Sequence, residues 1–179
     1  IEGPRGVLSL RFVNSGAAGA CFTVYRERTG EMPRRYTVGA KNHLVDEWSL
    51  AADHLNEISV MGPNGFLRRF RGDGAPTLRV AARADAAAGA LVLTLLNSGT
   101  EAPSVHLSDR AYGENPGTIA IAAGASVRVE WKLARSGHWY DILVEGPNGE
   151  TTRLAGHVET GRPGITDPAA TAPVLDRRP

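Results

Sequence analysis

The sequence predicts an all-β protein made of two tandem, Ig-like antiparallel β-sandwiches. Short stretches of alternating apolar and polar residues recur at close spacing, and polar turns rich in glycine, asparagine and serine separate them. The second half of the chain repeats the pattern of the first, and no window shows a helical period longer than two turns. Many short strands with frequent turn signals are typical of β-sandwiches.

An internal duplication divides the chain. Residues 47–65 read EWSLAADHLNEISVMGPNG and residues 131–149 read WKLARSGHWYDILVEGPNG. The two tryptophans lie 83 positions apart and the two Gly-Pro-Asn-Gly turns lie 84 positions apart. A period this long that occurs twice indicates duplicated domains rather than a solenoid. We expect a first repeat over 1–74, a second over 75–160 and a proline-containing tail over 161–179.

Strands are predicted at matching places in the two repeats. In the first repeat they cover 6–13, 20–25, 36–38 and 44–45, and in the second 91–96, 119–121 and 127–129. Residues 77–81 predict an additional strand that forms a hairpin with 91–96, and no stretch before Gly6 matches it, so its counterpart is either upstream or absent. Residues 81–90 are alanine-rich but lack an apolar stripe, which makes a poor helix. The prolines of the tail exclude a regular element there, so the tail is expected to pack along the surface or fray.

The repeated turn predicts a β-hairpin in each domain. In the first copy, Pro63 presets φ for the first central position of a type I turn, and Asn64 takes the second. Gly65 then accepts the positive φ of a bulge that closes the turn. Apolar residues flank both copies, as a hairpin requires.

Composition limits the function classes. The net charge of +1 does not indicate the strongly basic face of a nucleic-acid-binding protein. The single cysteine, Cys21, cannot form an internal disulfide, and its apolar neighbours favour a buried, inert thiol over a nucleophile. No apolar stretch has the length of a membrane span, and no signal peptide opens the chain. The first residue, Ile1, suggests a fragment or a processed product.

The histidines do not form a metal site in sequence. None of the five has metal-ligand spacing with another histidine, a cysteine or a carboxylate, and the pairs Asp46–Glu47 and Asp141–Glu145 lack the ligand density of a calcium loop. His54 and His138 occupy the same position in the two repeats. We therefore favour a structural role, in which the ring bonds a loop carbonyl, over two active sites.

Two tryptophans and a set of surface candidates complete the residue analysis. Trp48 and Trp131 end matching strands, which predicts core packing in both repeats. Because side chains alternate along a strand, one member of the pair Trp139–Tyr140 must point outward, either to a lipid or sugar or to the neighbouring domain. Arginines near the first repeat's loops form a candidate patch for anionic head groups, with a mixed solvated surface as the alternative. The candidate surface contacts are Trp139, Tyr140, Arg34, Arg35, Arg68 and Arg69.

Long motifs carry a resemblance to a known family. The first repeat contains LSLRFVNSGAAGACFTVYRERTGEMPRRYTVG, then DEWSL and GPNGFLRRFRG, and resembles the C-terminal repeat of bacterial phosphocholine-preferring phospholipases C. WKLARSGHWYDILVEGPNG and RLAGHVETGRPGITDP resemble the closing repeat and terminus of the same enzymes. The resemblance covers the chain from about Gly6 to Pro168.

The resemblance implies a part of a larger secreted enzyme. In that family a large N-terminal α/β domain of the acid-phosphatase type cleaves the phosphodiester, and none of it is present here, so no catalytic residue, metal ligand or cofactor is carried over. Family members are bacterial and exported, often by a twin-arginine signal that would lie upstream. We expect a non-catalytic C-terminal accessory region that stabilises the catalytic domain or aids its approach to phosphocholine-lipid surfaces.

Two other functions remain open at this point. The first is a partner-binding module for an export chaperone or a sister subunit. The second is an autonomous hydrolase, which would have to turn over a phosphocholine ester by itself and which we do not expect. The partners expected are the catalytic domain of the parent chain, a phospholipid membrane surface or an export chaperone, and no nucleic acid.

Overall fold

The computed structural model describes residues 6–50, 56–73, 76–113 and 117–171, which fold into antiparallel β-strands, two single-turn 3-10 segments (Ala134–Ser136 and Pro147–Gly149) and one short α-helix. The strands of the first repeat are β1 (Val7–Asn14), β2 (Ala20–Arg26), β3 (Arg34–Val38), β4 (Asn42–Ser49), β5 (Asn56–Met61) and β6 (Leu67–Gly72). Those of the second are β7 (Leu78–Asp85), β8 (Ala90–Asn97), β9 (Ser104–Asp109), β10 (Gly117–Ala120), β11 (Ser126–Lys132), β12 (Trp139–Glu145) and β13 (Thr151–His157). Helix α1 covers Pro168–Thr171.

Each repeat is a sandwich of two packed sheets. In the second repeat, a three-stranded sheet in the order β11-β8-β7 packs on strands in the order β10-β9-β12-β13. This is the Ig-type division in which the first, second and fifth strands face the third, sixth and seventh. In the first repeat, β1-β4 packs on β3-β2-β5-β6 in the same way. The predicted fold class, all-β with tandem antiparallel sandwiches, is confirmed.

The two repeats have separate hydrophobic cores. Leu8, Leu10 and Phe12 alternate inward along β1 and join the core of the first repeat, because side chains in a strand point to opposite faces in turn. The second core is larger and contains the corresponding strand residues of β8. Trp48 is 1% exposed in the first core and Trp131 is 4% exposed in the second, so the predicted core role of both tryptophans is confirmed.

The larger sheets of the two sandwiches are joined into one. Strand β6 pairs with β13, which makes a continuous eight-stranded sheet in the order β10-β9-β12-β13-β6-β5-β2-β3. In this pairing Arg69 lies opposite Arg153, its own counterpart in the other repeat. The seam between β6 and β13 is therefore a local pseudo-twofold axis, as in an isologous dimer interface. The sequence did not predict this seam.

Asparagines at the ends of β1 and β8 make matching hydrogen-bond networks. The side-chain amide of Asn14 donates to the carbonyls of Ala18, Val38 and Gly39, and that of Asn97 donates to three carbonyls at the equivalent positions. Each side-chain oxygen also accepts the backbone N–H two residues later. Both asparagines are buried, so each satisfies loop carbonyls that have no strand partner. The sequence marked these sites only as turns.

The Gly-Pro-Asn-Gly turns form hairpins, but the predicted turn type was wrong. The N–H of Phe66 donates to the carbonyl of Pro63, so Asn64 and Gly65 are the two central residues. Their φ angles are 53° and 67°, which are those of a type I′ turn. Asn-Gly is the preferred pair for that turn, whose twist matches that of the flanking strands. The second copy repeats the geometry.

Two other predictions are corrected and refined. Cys21 is exposed rather than buried, because its strand turns Val24 toward the core and Cys21 to the opposite face.

The tail packs along the surface up to Asp167, whose side chain accepts a hydrogen bond from Tyr112. It then forms helix α1, where Asp167 also accepts the N–H of Ala169 as an N-cap, so the tail does contain one short regular element.

The additional strand of the second repeat is confirmed. Strand β7 pairs with β8 over its whole length, from Leu78 opposite Asn97 to Asp85 opposite Ala90. Strand β1, the counterpart of β8, pairs with β4 on one side, and no described residue pairs with its other side. The expectation about a counterpart before Gly6 falls on residues 1–5, which lie outside the described ranges.

We predict that Asn97→Ala lowers the free energy of unfolding by about 2–3 kcal/mol, because buried carbonyls lose their donor. Asn97→Asp should cost at least as much, since a carboxylate has no donor for those carbonyls. Chemical denaturation measures both. Exposed Asn42, whose side chain accepts only the N–H of His43, provides the control: Asn42→Ala should change stability by less than about 1 kcal/mol. Equal losses at Asn42 and Asn97 would contradict the structural role assigned to the buried amide.

Candidate functional site

Among the residues that the structure describes, no three His, Cys, Asp or Glu side chains converge in a group suited to hold a metal ion. His138 has a left-handed backbone, and its ring lies against Gly89, where a Cβ would be 2.7 Å from Cε1. The Nδ1 atom of His138 is buried and has no hydrogen-bond partner among the described residues. This nitrogen therefore does not make the predicted hydrogen bond to a loop carbonyl. His54 lies outside the described residues.

The two aromatic surface candidates point to opposite faces of β12. Tyr140 is 5% exposed and belongs to the second core, so it is not a surface residue. Trp139 is half-buried on the other face, where its indole N–H donates to the carbonyl of Ile165. A Cβ at Gly65 would lie 2.9 Å from the Trp139 ring, which therefore covers the first repeat's turn. Trp139 packs between the repeats and the tail.

Arg34 belongs to a polar cluster that is found only in the first repeat. The Tyr36 hydroxyl donates to Asp46 at 2.6 Å, and the Arg34 guanidinium donates to the same carboxylate at 2.9 Å. The hydrogen bond from Tyr36 is the main cause that lowers the pKa of Asp46. The guanidinium also lies 4.1 Å from the centroid of the Trp48 ring. Glycine, isoleucine and valine occupy the matching places of Arg34, Tyr36 and Asp46 in the second repeat.

Other exposed side chains lie on β3 and in the loop before it. Arg35 is exposed on β3, a terminal strand of the eight-stranded sheet. In the preceding loop, Met32 is 86% exposed, which is the largest exposure among the described large hydrophobic residues. The side chain of Arg28 is 81% exposed beside Glu57.

Arg68 and Arg69 point to opposite faces of the seam. Arg68 donates to the Tyr140 hydroxyl at 3.0 Å and to the carbonyl of Ala155, which ties the first repeat to the second. Arg69 donates to the Ser59 hydroxyl and lies near Glu27 and Glu57. The counterpart of this ion pair in the second repeat is Arg153 with Asp141, joined by two hydrogen bonds of 2.7 and 2.6 Å. These contacts give Arg68 and Arg69 roles within the fold, and the structure does not gather the six surface candidates into one patch.

A cavity of about 140 Å³ lies above the seam between the repeats, lined by Leu8 and Phe70 from the first and by Leu78, Val80 and Glu150 from the second. The Glu150 side chain accepts the backbone N–H of Thr77, and its other oxygen is buried with no partner among the described residues. Burial raises the pKa of this carboxyl group above its usual value. Glu150 thus fixes the start of β7 at an electrostatic cost.

A second, open groove of about 490 Å³ runs along the first repeat. It is lined by Leu10 and Phe12 of β1 and by Val60, Phe66 and Phe70 of the opposing sheet. It shares Phe70 with the seam cavity, so the two together follow the open side of β1 from Leu8 to Gly16. We call this combined feature the β1 trough. The sequence analysis did not predict this trough. One difference between the repeats pointed to it, because the first repeat has Phe66 at the position where the second has Glu150.

We predict that Glu150→Gln raises the melting temperature at pH 7, because the amide keeps an acceptor for Thr77 and removes the desolvated charge. The pKa of the Glu150 carboxyl is higher in the folded state than in the unfolded state. The native state therefore loses stability as the pH rises from the unfolded-state pKa through the folded-state pKa. The gain should shrink as the pH falls toward 4, because protonation of the wild-type carboxyl removes the buried charge. Thermal melts over pH 4–8 measure this, with Glu145→Gln, an exposed site, as the control. A gain independent of pH would contradict the assignment.

Known proteins resemble this chain over nearly its whole length. The family described as "Bacterial phospholipase C, C-terminal domain" matches residues 2–73 and again 78–157. "Non-hemolytic phospholipase C" of Burkholderia pseudomallei is 39% identical over 178 residues, covering 94% of this chain and 25% of that protein. "Non-hemolytic phospholipase C" of Pseudomonas aeruginosa is 37% identical, covering 90% of this chain and 25% of that protein. The chain thus spans about a quarter of the length of these relatives.

Solved structures add little to this relation. Red sea bream transglutaminase has a TM-score of 0.32 at 14% identity, covering 86% of this chain and 29% of that one. The Pseudomonas aeruginosa CupB2 chaperone has a TM-score of 0.30 at 14% identity, covering 84% and 92%. Both scores are too low to establish a shared fold. No helix among the described residues is long and apolar enough to cross a membrane. The double family match and the two close relatives place the chain in the family of bacterial phospholipase C C-terminal domains.

Proposed function

We propose that this chain is the non-catalytic accessory region of a secreted bacterial phospholipase C and that it stabilises the catalytic domain by docking against it. The β1 trough is the observation that carries the proposal. It leaves apolar core residues of the first repeat in contact with an open groove, whereas β7 covers the same side of the second repeat. Leu10 and Phe12 are buried, whereas the groove residues Phe22, Phe66 and Phe70 are partly exposed, and partly exposed aromatic side chains in a groove mark a site of protein contact.

The outer face of β1 and β4 extends this apolar surface. Val13 is 61% exposed and Val45 is 53% exposed, and they lie on neighbouring strands on the same face. A single exposed valine is ordinary, but two beside an open groove enlarge the apolar area that a partner domain would cover. The first repeat is therefore the side that faces the catalytic domain.

A second role in surface approach is favoured by the Met32–Arg35 end of the first repeat. Met32 is exposed three positions before the exposed Arg35, and such a pair suits the boundary of a lipid surface, where the cation attracts anionic head groups and the apolar group enters the interface. The alternative partner-binding module, for an export chaperone or a sister subunit, would use the same β1 trough. This alternative differs from docking of the catalytic domain, because a trough that serves a separate partner would stay open in the intact enzyme.

We predict that deleting this region from the full-length enzyme preserves phosphodiester cleavage at low temperature and lowers the melting temperature by several degrees. The 179-residue chain alone should not hydrolyse a phosphocholine ester. Activity assays and calorimetry on the intact enzyme, the truncated enzyme and the isolated chain measure both effects. An unchanged melting temperature would reject the stabilising role, and turnover by the isolated chain would reject the non-catalytic one.

We predict that the chain co-sediments with vesicles that contain an anionic lipid more strongly than with phosphatidylcholine vesicles. The double variant Met32→Ser, Arg35→Gln should weaken this binding about tenfold, since one cation near a charged surface contributes about 1 kcal/mol and the exposed methionine adds to it. The control is Arg128→Gln, which removes an exposed charge from the second repeat. A chain that ignores every vesicle, or equal effects of the two variants, would remove support for the lipid contact.

A further inference from the structure

We propose that the β1 trough holds a seventh strand of the first sandwich, supplied by the segment of the full-length enzyme that lies upstream of Ile1. In this arrangement the segment pairs antiparallel with β1, as β7 pairs with β8. The inference deepens the proposed docking of the first repeat and rests on the chain being part of a longer enzyme. It names the occupant of the site and the register in which the occupant binds.

The backbone of β1 is prepared for such a partner. Gly6 accepts a hydrogen bond from the N–H of Leu50, so the even-numbered residues of β1 direct their polar groups toward β4. By alternation, the N–H and C=O groups of Ser9, Arg11 and Val13 point to the side that no described strand occupies. In the second repeat the matching side of β8 is paired, and the ladder extends to the N–H of Ser98, which donates to the carbonyl of Thr77.

The side-chain surroundings also fit a strand. In the second repeat, Leu78 of β7 is 8% exposed, belongs to the core and packs against Gly146. Val144 and Glu150 line the cavity beside Leu78, and their counterparts in the first repeat, Val60 and Phe66, line the open groove. The trough thus occupies the place that β7 fills in the other sandwich. The nine-residue stretch from Leu8 to Gly16 that borders it is close in length to the eight residues of β7.

The backbone of Gly6, at the start of β1, favours a segment from the same polypeptide. Gly89 has a φ of 59° and closes the turn that leads from β7 into β8. Gly6 stands at the same repeat position and has a φ of 90°, which is also in the region that favours glycine. The two equivalent glycines give β1 and β8 the same left-handed backbone immediately before their first residues. A segment of the same polypeptide requires such a glycine to enter β1 as β7 enters β8, whereas a separate partner does not require it.

The register follows from the second repeat. Leu78, Val80 and Ala82 lie 11, 9 and 7 positions before Gly89 and point into the sandwich. Residues at the same distances before Gly6 should therefore be apolar, while those between them face solvent. Phe66 replaces Glu150 at the far end, so the occupant meets an aromatic ring where β7 meets a carboxylate. An apolar residue at the first of these positions suits that ring.

The test is hydrogen exchange on the full-length enzyme, compared between peptides that cover β1 and those that cover β8. In the wild type we expect both strands to exchange slowly. Replacing the residue nine positions before Gly6 with Asp should speed exchange of β1 about 100-fold or more and leave β8 unchanged. The matched control is Asp at the position ten before Gly6, which faces solvent in this register and should have little effect.

Each other outcome overturns the proposal. Fast exchange of β1 in the wild-type enzyme would mean that the trough stays open, as a chaperone-binding module requires. Slow exchange that survives replacement of all twelve residues before Gly6 with Gly-Ser repeats would mean that another segment fills it. Dimerisation of the full-length enzyme, with protection of β1 that is lost in the monomer, would assign the site to a second copy. The truncation experiment is independent, because an unchanged melting temperature would reject the stabilising role without altering the exchange pattern.

Discussion

The backbone ladder between β6 and β13 is the interaction on which the rest of the structure depends. It joins two sandwiches that each have their own core, and its centre at Arg69 and Arg153 makes the repeats face each other in a twofold manner. Because the hydrogen bonds run along both strands, the two repeats cannot turn freely about a linker. The contacts of Arg68 with Tyr140 and of Trp139 with the turn at Gly65 exist only because this seam sets their distance.

The twofold relation makes the differences between the repeats informative. Several interactions that hold each sandwich are duplicated, as in Asn14 with Asn97 and in the acidic partners of Arg69 and Arg153. Features that occur in one repeat and not in the other indicate a function that only one repeat has. The Arg34–Tyr36–Asp46 cluster and the open side of β1 are both of this kind, and both lie in the first repeat.

The sequence could predict what depends on local pattern. Alternation located most strands, the repeat located both tryptophans in cores, and residues 77–81 located the additional strand. It could not predict the seam, because the joining of β6 to β13 depends on which sheet edges remain free after folding. The burial of Cys21 was predicted wrongly, because a run of apolar residues does not reveal which face of a strand points into the core. The trough was missed because it is defined by the absence of a neighbour among described residues, which no single residue signals.

The seam also bears on how a long sheet avoids aggregation. Free strand edges recruit other chains, and proteins protect them with charge, with brevity or with a covering element. Pairing β6 with β13 removes two such edges at once, and the outer ends of the eight-stranded sheet are β3, which carries Arg34 and Arg35, and β10, which is four residues long. Both edge strands of the eight-stranded sheet thus have features that oppose pairing with further chains, although the sheet extends through two domains.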